Sequence, residues 1–384
     1  MASLPPKPVI AVCANQAWNL VNFRAGLIAA LLAEGFAVEA IAPPDPAMEA
    51  RLTAMGCGFT PVRIDSAGIA PHRDLATFLA LRRIIARLRP AAWLSWTIKP
   101  NVYGSLAAGL AGVPALPNVS GLGTAFIRRN LLTLIAKQLY RTGFRKAPTV
   151  FFQNHDDRAE FLDARLVRAD QARVLPGSGI DVQDWAPPAG GRPKPRQFLM
   201  LARVVSDKGV REYVAAARQI RRRWPDARFI LMGALDAPNR TAVRPEEVRA
   251  WLAEGTIEHL DPVGDVKPCI AAADFVVLPS YREGLSRVLL EASAMGRPVV
   301  TTNVSGCRDI IRHGENGYLC EPRSAESLTK ALALAAEISD SEWQRMAKAG
   351  RARVVAEFSQ ERVIDLYLKA LADAGIHSHQ GHER

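Results

Sequence analysis

Phe275-Val276-Val277-Leu278-Pro279-Ser280-Tyr281-Arg282-Glu283-Gly284-Leu285-Ser286-Arg287-Val288-Leu289-Leu290-Glu291-Ala292 is the stretch on which the fold turns. Its first four residues are an unbroken apolar run that stops at a proline. A Glu-Gly turn follows, and residues 285–295 then show the spacing of a helix. Gly296-Arg297-Pro298 ends that helix, and a second bare apolar run begins at Val299-Val300. Apolar runs without alternation suit strands buried on both faces. Strand, helix and strand in that order imply a parallel sheet covered by helices.

Outward from this unit the same alternation fills the chain. In the second half, 198–202, 229–232, 257–260, 275–278, 299–302 and 318–320 read as strands, with helical stretches at 210–224, 243–254, 285–295 and 324–338. In the first half, the strands are 9–12, 38–41, 59–62, 92–96, 115–119 and 150–152, with helices such as 23–34 and 75–88. Between the halves lies Trp185-Ala186-Pro187-Pro188-Ala189-Gly190-Gly191-Arg192-Pro193-Lys194-Pro195, whose prolines and glycines cannot enter a sheet interior. The expected organisation is a first α/β domain at 1–172, a linker at 173–196, a second α/β domain at 197–358, and a C-terminal helix with a polar tail at 359–384. The segments 341–358 and 360–374 read as two helices outside the second sheet. Two doubly wound sheets on a linker are expected to face each other across a cleft, with ligands just beyond the carboxyl ends of the strands.

Bulk properties agree with that frame. A chain of 384 residues with 49% hydrophobic and 23% charged side chains has the balance of a globular protein of two domains. No apolar run is long enough to span a bilayer, and the start lacks the pattern of a secretory signal. The five cysteines are scattered and form no Cys-x-x-Cys pair, which argues for reduced thiols and against a zinc site. A cytoplasmic location is expected. The net charge is +11, and residues 1–190 carry 20 Lys and Arg against 13 Asp and Glu. Such a surface suits phosphorylated ligands, anionic lipid or nucleic acid alike.

The chemistry-bearing residues follow strand candidates. Glu283 and Glu291 lie eight residues apart, a little over two helical turns, so Glu283 sits at the mouth of the helix and Glu291 on its flank. The helix start offers free N–H groups to a diphosphate. Either acid alone would read as a capping or solvated surface group. After 198–202 comes Ala202-Arg203-Val204-Val205-Ser206-Asp207-Lys208-Gly209, in which Arg203 and Lys208 flank a turn. Gly233 ends the strand at 229–232, and Asp261-Pro262-Val263-Gly264-Asp265-Val266 follows the strand at 257–260. Ordinary turns would explain these glycines equally well.

The string from Glu283 to Val300 resembles the signature of retaining glycosyltransferases of family four, which have the GT-B fold of two Rossmann-like domains. That resemblance implies roles. Glu283 contacts donor-sugar hydroxyls, helped by its neighbours Gly284, Leu285 and Ser286, and Glu291 holds the ribose hydroxyls. Arg203 and Lys208 neutralise the leaving diphosphate, where cations act on charge that grows in the transition state. Gly233, and backbone groups around Gly264 and Val266, cradle the base. Related enzymes carry a glycine-rich loop after the first strand, but here no glycine occurs between Val12 and Gly26. Asn15-Gln16-Ala17-Trp18-Asn19-Leu20-Val21-Asn22-Phe23-Arg24 is instead similar to a subgroup that builds capsular, lipopolysaccharide and lipid-linked glycans, N-acetylgalactosaminyltransferases among them. Further subgroup strings are Thr97-Ile98-Lys99-Pro100-Asn101, Asn118-Val119-Ser120-Gly121-Leu122-Gly123 and Phe152-Gln153-Asn154-His155-Asp156-Asp157. Asn15, Asn19, Lys99, Asn154 and Asp156 are the acceptor-side candidates.

The resemblance implies a nucleotide sugar, with UDP as carrier and a hexose or N-acetylhexosamine as sugar, and a lipid-diphosphate or glycan acceptor. It implies no bound cofactor. An Asp-x-Asp metal motif is absent at any strand end, so metal-independent transfer is expected, with the leaving phosphate taking the acceptor proton. Residues 127–146 hold six basic and no acidic side chains, with Leu131, Leu134, Ile135, Gln138 and Leu139 along a mainly apolar face. Such a helix can lie on an anionic membrane surface, grip a lipid diphosphate, or simply cover the sheet. A peripheral place on the inner face of the plasma membrane is compatible with it. A nucleotide-sugar epimerase of the same fold and a non-enzymatic binder of phosphate polymers stay open as alternatives. No nucleic-acid motif occurs, and the Gly-x-Gly-x-x-Gly of a dehydrogenase is missing after the first strand.

Overall fold

The computed structural model describes residues 7–65, 70–121, 131–193, 196–235, 239 and 241–378, without the side chains of 131–133. Leu122 and Gly123, the basic residues Arg128 and Arg129, Lys194 and Pro195, and the tail 379–384 lie outside the described residues. The chain divides into two compact units, Met1–Ser178 with Gln360–Arg384 and Gly179–Ser359.

The first unit runs β1 (Val9–Cys13), α1 (Ala17–Ala33), β2 (Ala37–Ala42), α2 (Pro46–Ala54), β3 (Gly58–Pro61), α3 (Pro71–Leu88) and β4 (Ala92–Trp96). A π-helical turn, Pro100–Gly104, then leads into α4 (Ser105–Leu110), β5 (Ala115–Val119), α5 (Leu131–Phe144), β6 (Val150–Phe152), α6 (His155–Asp163) and β7 (Ala172–Val174). Seven strands pair in the order β3-β2-β1-β4-β5-β6-β7, all parallel. The order reverses between β1 and β4, which opens a crevice at their carboxyl ends. Proline at the first turn of α2 and of α3 suits a position that needs no N–H donor.

The second unit runs β8 (Gln197–Leu201), α7 (Val210–Arg223), β9 (Arg228–Met232), α8 (Pro245–Ala253), β10 (Glu258–Leu260), α9 (Lys267–Ala272), β11 (Phe275–Leu278), α10 (Arg287–Ala294), β12 (Val299–Thr302), β13 (Gly317–Cys320), α11 (Ala325–Glu337) and α12 (Asp340–Glu357). Its sheet has the order β10-β9-β8-β11-β12-β13, again parallel. Here the reversal lies between β8 and β11. The fold class read from the sequence, two Rossmann-like parallel sheets, is the one observed.

Two expectations need correction. The last helix, α13 (Gln360–Asp373), packs on the first sheet rather than the second. Its Val363, Tyr367, Ala370 and Leu371 join the β1–β2–β4 side of that core, each large apolar side chain contributing about 1.5–3 kcal/mol by burial. An amphipathic pattern shows that a face is buried, not which surface covers it. The expected linker 173–196 is also not a free connector. Residues 172–174 complete the first sheet as β7, and Ile180, Val182 and Trp185 are buried in the second core. Arg192 reaches the buried Asp274 through two hydrogen bonds of 2.9 and 3.0 Å.

Candidate functional site

The reversal in the second sheet brings two loops together. Beyond β8 the chain passes Arg203, makes a 3-10 turn at Ser206–Lys208 and enters α7 through Gly209, whose φ is 76°. Beyond β11 it passes Pro279 and Ser280 to Glu283 and α10. The loops are stitched by the Asp207 carbonyl, which accepts the Tyr281 N–H at 2.9 Å and the Ser280 hydroxyl at 3.2 Å. A Cβ on Gly209 would stand 2.1 Å from the Pro279 carbonyl oxygen, so glycine is required by space as well as by φ. A second clamp comes from Gly306, whose carbonyl accepts the Ser286 N–H at 3.2 Å. A Cβ there would meet the Gly284 and Glu283 carbonyl oxygens at 2.6 and 2.7 Å. Sequence reasoning passed over Gly306 and Asp207, since an isolated glycine or aspartate carries no spacing signal.

The side chains at this junction are charged and unequal in exposure. Lys208 Nζ pairs with Glu283 Oε1, both largely buried. Arg203 is exposed, and its guanidinium bonds no described residue. Glu291 is 8% exposed and accepts from Arg287 Nε at 2.7 Å. It therefore lies inside the unit, where the sequence placed it on a helix flank. Burial pushes its carboxyl above the usual carboxylate range, against the opposing charges of Arg287 and Lys267. Burial pushes the neighbouring Cys307 thiol to about 12, and the charge of Glu283 adds to that shift. Tyr281 donates its hydroxyl to Glu212 at 2.7 Å while the Arg323 guanidinium covers its ring at 4.8 Å.

Gly233 ends β9, and a Cβ there would sit 1.9 Å from the Ala202 carbonyl oxygen, so a glycine is what lets the β8 loop pass. Gly264 stands in open space. Val266 precedes α9, whose Lys267 pairs with Asp184 and lies 5.2 Å from the centre of the Trp185 ring. The structure thus gathers Arg203, Lys208, Glu283, Gly284, Leu285 and Ser286 at the reversal, with Glu291 beneath and Gly233 one strand over. Gly264 and Val266 lie past the edge strand.

The first unit treats its candidates differently. Lys99 pairs with Asp74 of α3 at 2.7 Å, their side chains 13% and 6% exposed. Burial pushes the Tyr103 phenol up to about 12, and the negative charge of Asp74 adds to that shift. Asn154 caps α6, its Oδ1 accepting the Asp157 N–H at 2.7 Å. Asp156 is exposed in the first turn of the same helix. The Asn15 N–H donates to Thr97 Oγ1 at 3.3 Å, and Asn19 Oδ1 is buried with no hydrogen-bond partner among the described residues. Arg24, quoted in the sequence string but not singled out, is 4% exposed and lies 4.7 Å over the Trp96 ring. The Tyr367 hydroxyl of α13 accepts from Trp96 Nε1 at 3.0 Å and Asn118 Nδ2 at 2.9 Å.

Among the described side chains of α5 the buried residues are Tyr140, Gly143 and Phe144, whereas Leu134 is 69% exposed. Of the stripe read along 131–139, Leu134, Ile135 and Gln138 are exposed, while Leu139 packs against the core beside Tyr140 and Phe144. Among the described residues no helix is long and apolar enough to cross a membrane. No group of three or more His, Cys, Asp or Glu that could hold a metal ion occurs among them.

Comparison with known proteins agrees with this division. Residues 10–154 match the family described as glycosyl transferase 4-like, and residues 195–337 match glycosyl transferases group 1. The chain is 26% identical over 368 residues to the N,N'-diacetylbacillosaminyl-diphospho-undecaprenol alpha-1,3-N-acetylgalactosaminyltransferase of Campylobacter jejuni, covering 91% of this chain and 95% of that one. It is 22% identical to the UDP-Gal:alpha-D-GlcNAc-diphosphoundecaprenol alpha-1,3-galactosyltransferase of Escherichia coli, over 77% of this chain and 80% of that protein. Among solved structures, Anabaena HepE in complex with UDP and glucose superposes with a TM-score of 0.79 at 18% identity, covering 95% of this chain and all of that one. That last likeness concerns the fold.

Proposed function

The chain belongs to the group 1, 4-like glycosyltransferases of the GT-B fold, and from that premise we propose that it transfers a hexose or N-acetylhexosamine from a UDP-sugar, with retention, to a lipid-diphosphate-linked or glycan acceptor of a cell-surface polysaccharide. The observation that carries the proposal is the Lys208–Glu283 pair at the β8/β11 reversal, beside an Arg203 that bonds no described residue. A diphosphate at this turn competes with Glu283 for Lys208 and can draw the lysine away from it. The released carboxylate then has its oxygens open to the vicinal hydroxyls of a sugar. One exchange of partners equips both ends of the scissile bond.

In this reading Arg203 and Lys208 stabilise the charge that grows on the leaving phosphate. Glu291 takes the ribose hydroxyls, and the backbone near Gly264 and Val266 takes the base. The leaving phosphate itself accepts the proton of the attacking hydroxyl, and no metal is required. The names of the two bacterial relatives support a diphosphoundecaprenol acceptor for this chain too. Exposed Leu134 and Ile135 beside the basic residues of 131–146 support contact with an anionic membrane surface.

The test is incubation with a panel of UDP-sugars and a polyprenyl-diphosphate sugar, with and without EDTA, followed by NMR assignment of the product anomer. The expected result is an α-linked product from an α-linked donor that survives EDTA. An inverted anomer would overturn the retaining mechanism, and an epimerised nucleotide sugar without transfer would overturn the whole reading. Flotation with anionic vesicles, lost at high salt, is the expected behaviour for the membrane contact.

A further inference from the structure

Thr97 stands one residue past β4 with a φ of 71°. A β-branched side chain in the left-handed region crowds its own backbone. The other described non-glycine residues with positive φ are Arg89, Arg165 and Arg323, none of them branched at Cβ. Strain of this kind persists only where the surroundings over-determine it.

The surroundings here are specific. Thr97 Oγ1 accepts the Asn15 N–H at 3.3 Å, which ties the turn after β4 to the turn after β1 across the reversal of the first sheet. The Thr97 carbonyl accepts the Asn101 N–H at 3.0 Å, and the chain continues as the π-helical turn Pro100–Gly104. Asn101 is itself 1% exposed, bonded to Ser95 Oγ at 2.9 Å and to the Asn118 carbonyl at 2.7 Å. Lys99 is held by Asp74. The backbone after Thr97 is therefore fixed, and its hydroxyl reaches into the loop that follows β1. That loop opens α1, where Trp18 is 48% exposed and Asn19 Oδ1 is buried without a donor among the described residues. A buried amide oxygen left without a donor loses its hydration with nothing in return, unless a ligand brings one.

We propose that Thr97 is a positioning residue: its strained turn holds residues 15–19 so that Asn19 Oδ1 receives a hydroxyl donor from the acceptor sugar. This rests on the reading that the first unit takes the acceptor. Thr97→Gly removes both the strain and the hydroxyl, Thr97→Val keeps the branched shape and loses the hydroxyl, and Thr97→Ser keeps the hydroxyl. Steady-state transfer is measured with donor and acceptor varied separately, alongside thermal unfolding.

The expected result is a kcat/KM for acceptor at least about tenfold lower in the Gly and Val variants, with donor KM within about twofold of the parent. The Ser variant stays within about threefold, and Asn19→Ala repeats the acceptor loss. The Gly variant keeps a Tm within about 3 °C of the parent, because relief of strain offsets the added freedom of its unfolded chain. Parental acceptor kinetics in the Gly and Val variants, or a Ser variant as damaged as Val, would overturn the positioning role. A loss confined to donor KM would overturn the acceptor assignment instead, and the two failures are told apart by which substrate feels the change.

Discussion

Each sheet reverses its strand order once, and at each reversal a lysine meets an acid: Lys99 with Asp74 in the first unit, Lys208 with Glu283 in the second. The two pairs use the same chemistry for opposite ends. Asp74 sits in the first turn of α3, where the helix dipole favours its charge, and its charge raises the nearby Tyr103 phenol. Its Oδ1 lies 2.7 Å from Lys99 Nζ, and its Oδ2 accepts the Ala70 N–H at 3.3 Å at the start of α3. Glu283 lies on a loop, and its lysine belongs to a separate turn of the chain. An exposed cation, Arg203, stands in the same turn as that lysine. On the function proposed above, the first pair is a lock and the second trades partners. Residue types alone do not separate the two; what differs is how many other groups each acid already serves.

The strongest way to break this contrast is to remove one member of each pair. Glu283→Gln and Lys208→Ala are expected to lower kcat about 10³-fold, on the order of 4 kcal/mol of barrier, as for loss of an oxyanion donor. Turnover near that of the parent in either variant would make the second pair another lock. Asp74→Ala is expected to act on stability, because it leaves Lys99 buried without its partner, at a cost of about 3 kcal/mol. For a unit of this size that is a Tm lower by roughly 6–12 °C in a thermal scan. An unchanged Tm with reduced turnover would move Lys99 and Asp74 into the working site.

The sequence showed the second reversal far better than the first. There Glu283, Glu291 and the basic residues of the β8 turn form a string with strict spacing, and the strands around it are bare apolar runs whose bounds differ little from those observed. The first reversal is built from contacts between distant segments. Asn15 to Thr97, Lys99 to Asp74, and Trp96 to Tyr367 of α13 span gaps that no periodicity reports. Thr97 gave no warning, since a residue with positive φ is legible only when it is glycine or asparagine. β7 was missed because Ala172-Arg173-Val174 has no apolar run, and α13 was misplaced because its apolar face fits either sheet equally well.

A smaller effect separates capping from recognition within the first unit. Asn154 was a candidate for the acceptor, yet its amide caps α6. Asn154→Ala is expected to cost about 1 kcal/mol of stability, a Tm fall of roughly 2–4 °C, with acceptor KM unchanged. A raised acceptor KM with no thermal change would restore it to the site and narrow the difference between the two units.

The finest distinction is one of sign, and Glu291 carries it. Burial raises its carboxyl pKa in the folded state, while Arg287 and Lys267 pull it back. A raised acid binds more protons folded than unfolded, so its contribution to stability is complete below the unfolded value near 4.5 and is lost as pH rises through the folded one. Glu291→Gln does not titrate and can still accept from Arg287. Its Tm relative to the parent should therefore climb as pH goes from about 4 to about 7. Asp74→Asn should remain below its parent at neutral pH, because there the charge is what holds α3 in place. If Glu291→Gln instead falls further behind its parent as pH rises, the ionised carboxylate is a net source of stability. Glu291 would then be a lock like Asp74, and the second unit would hold its acids for structure, just as the first does.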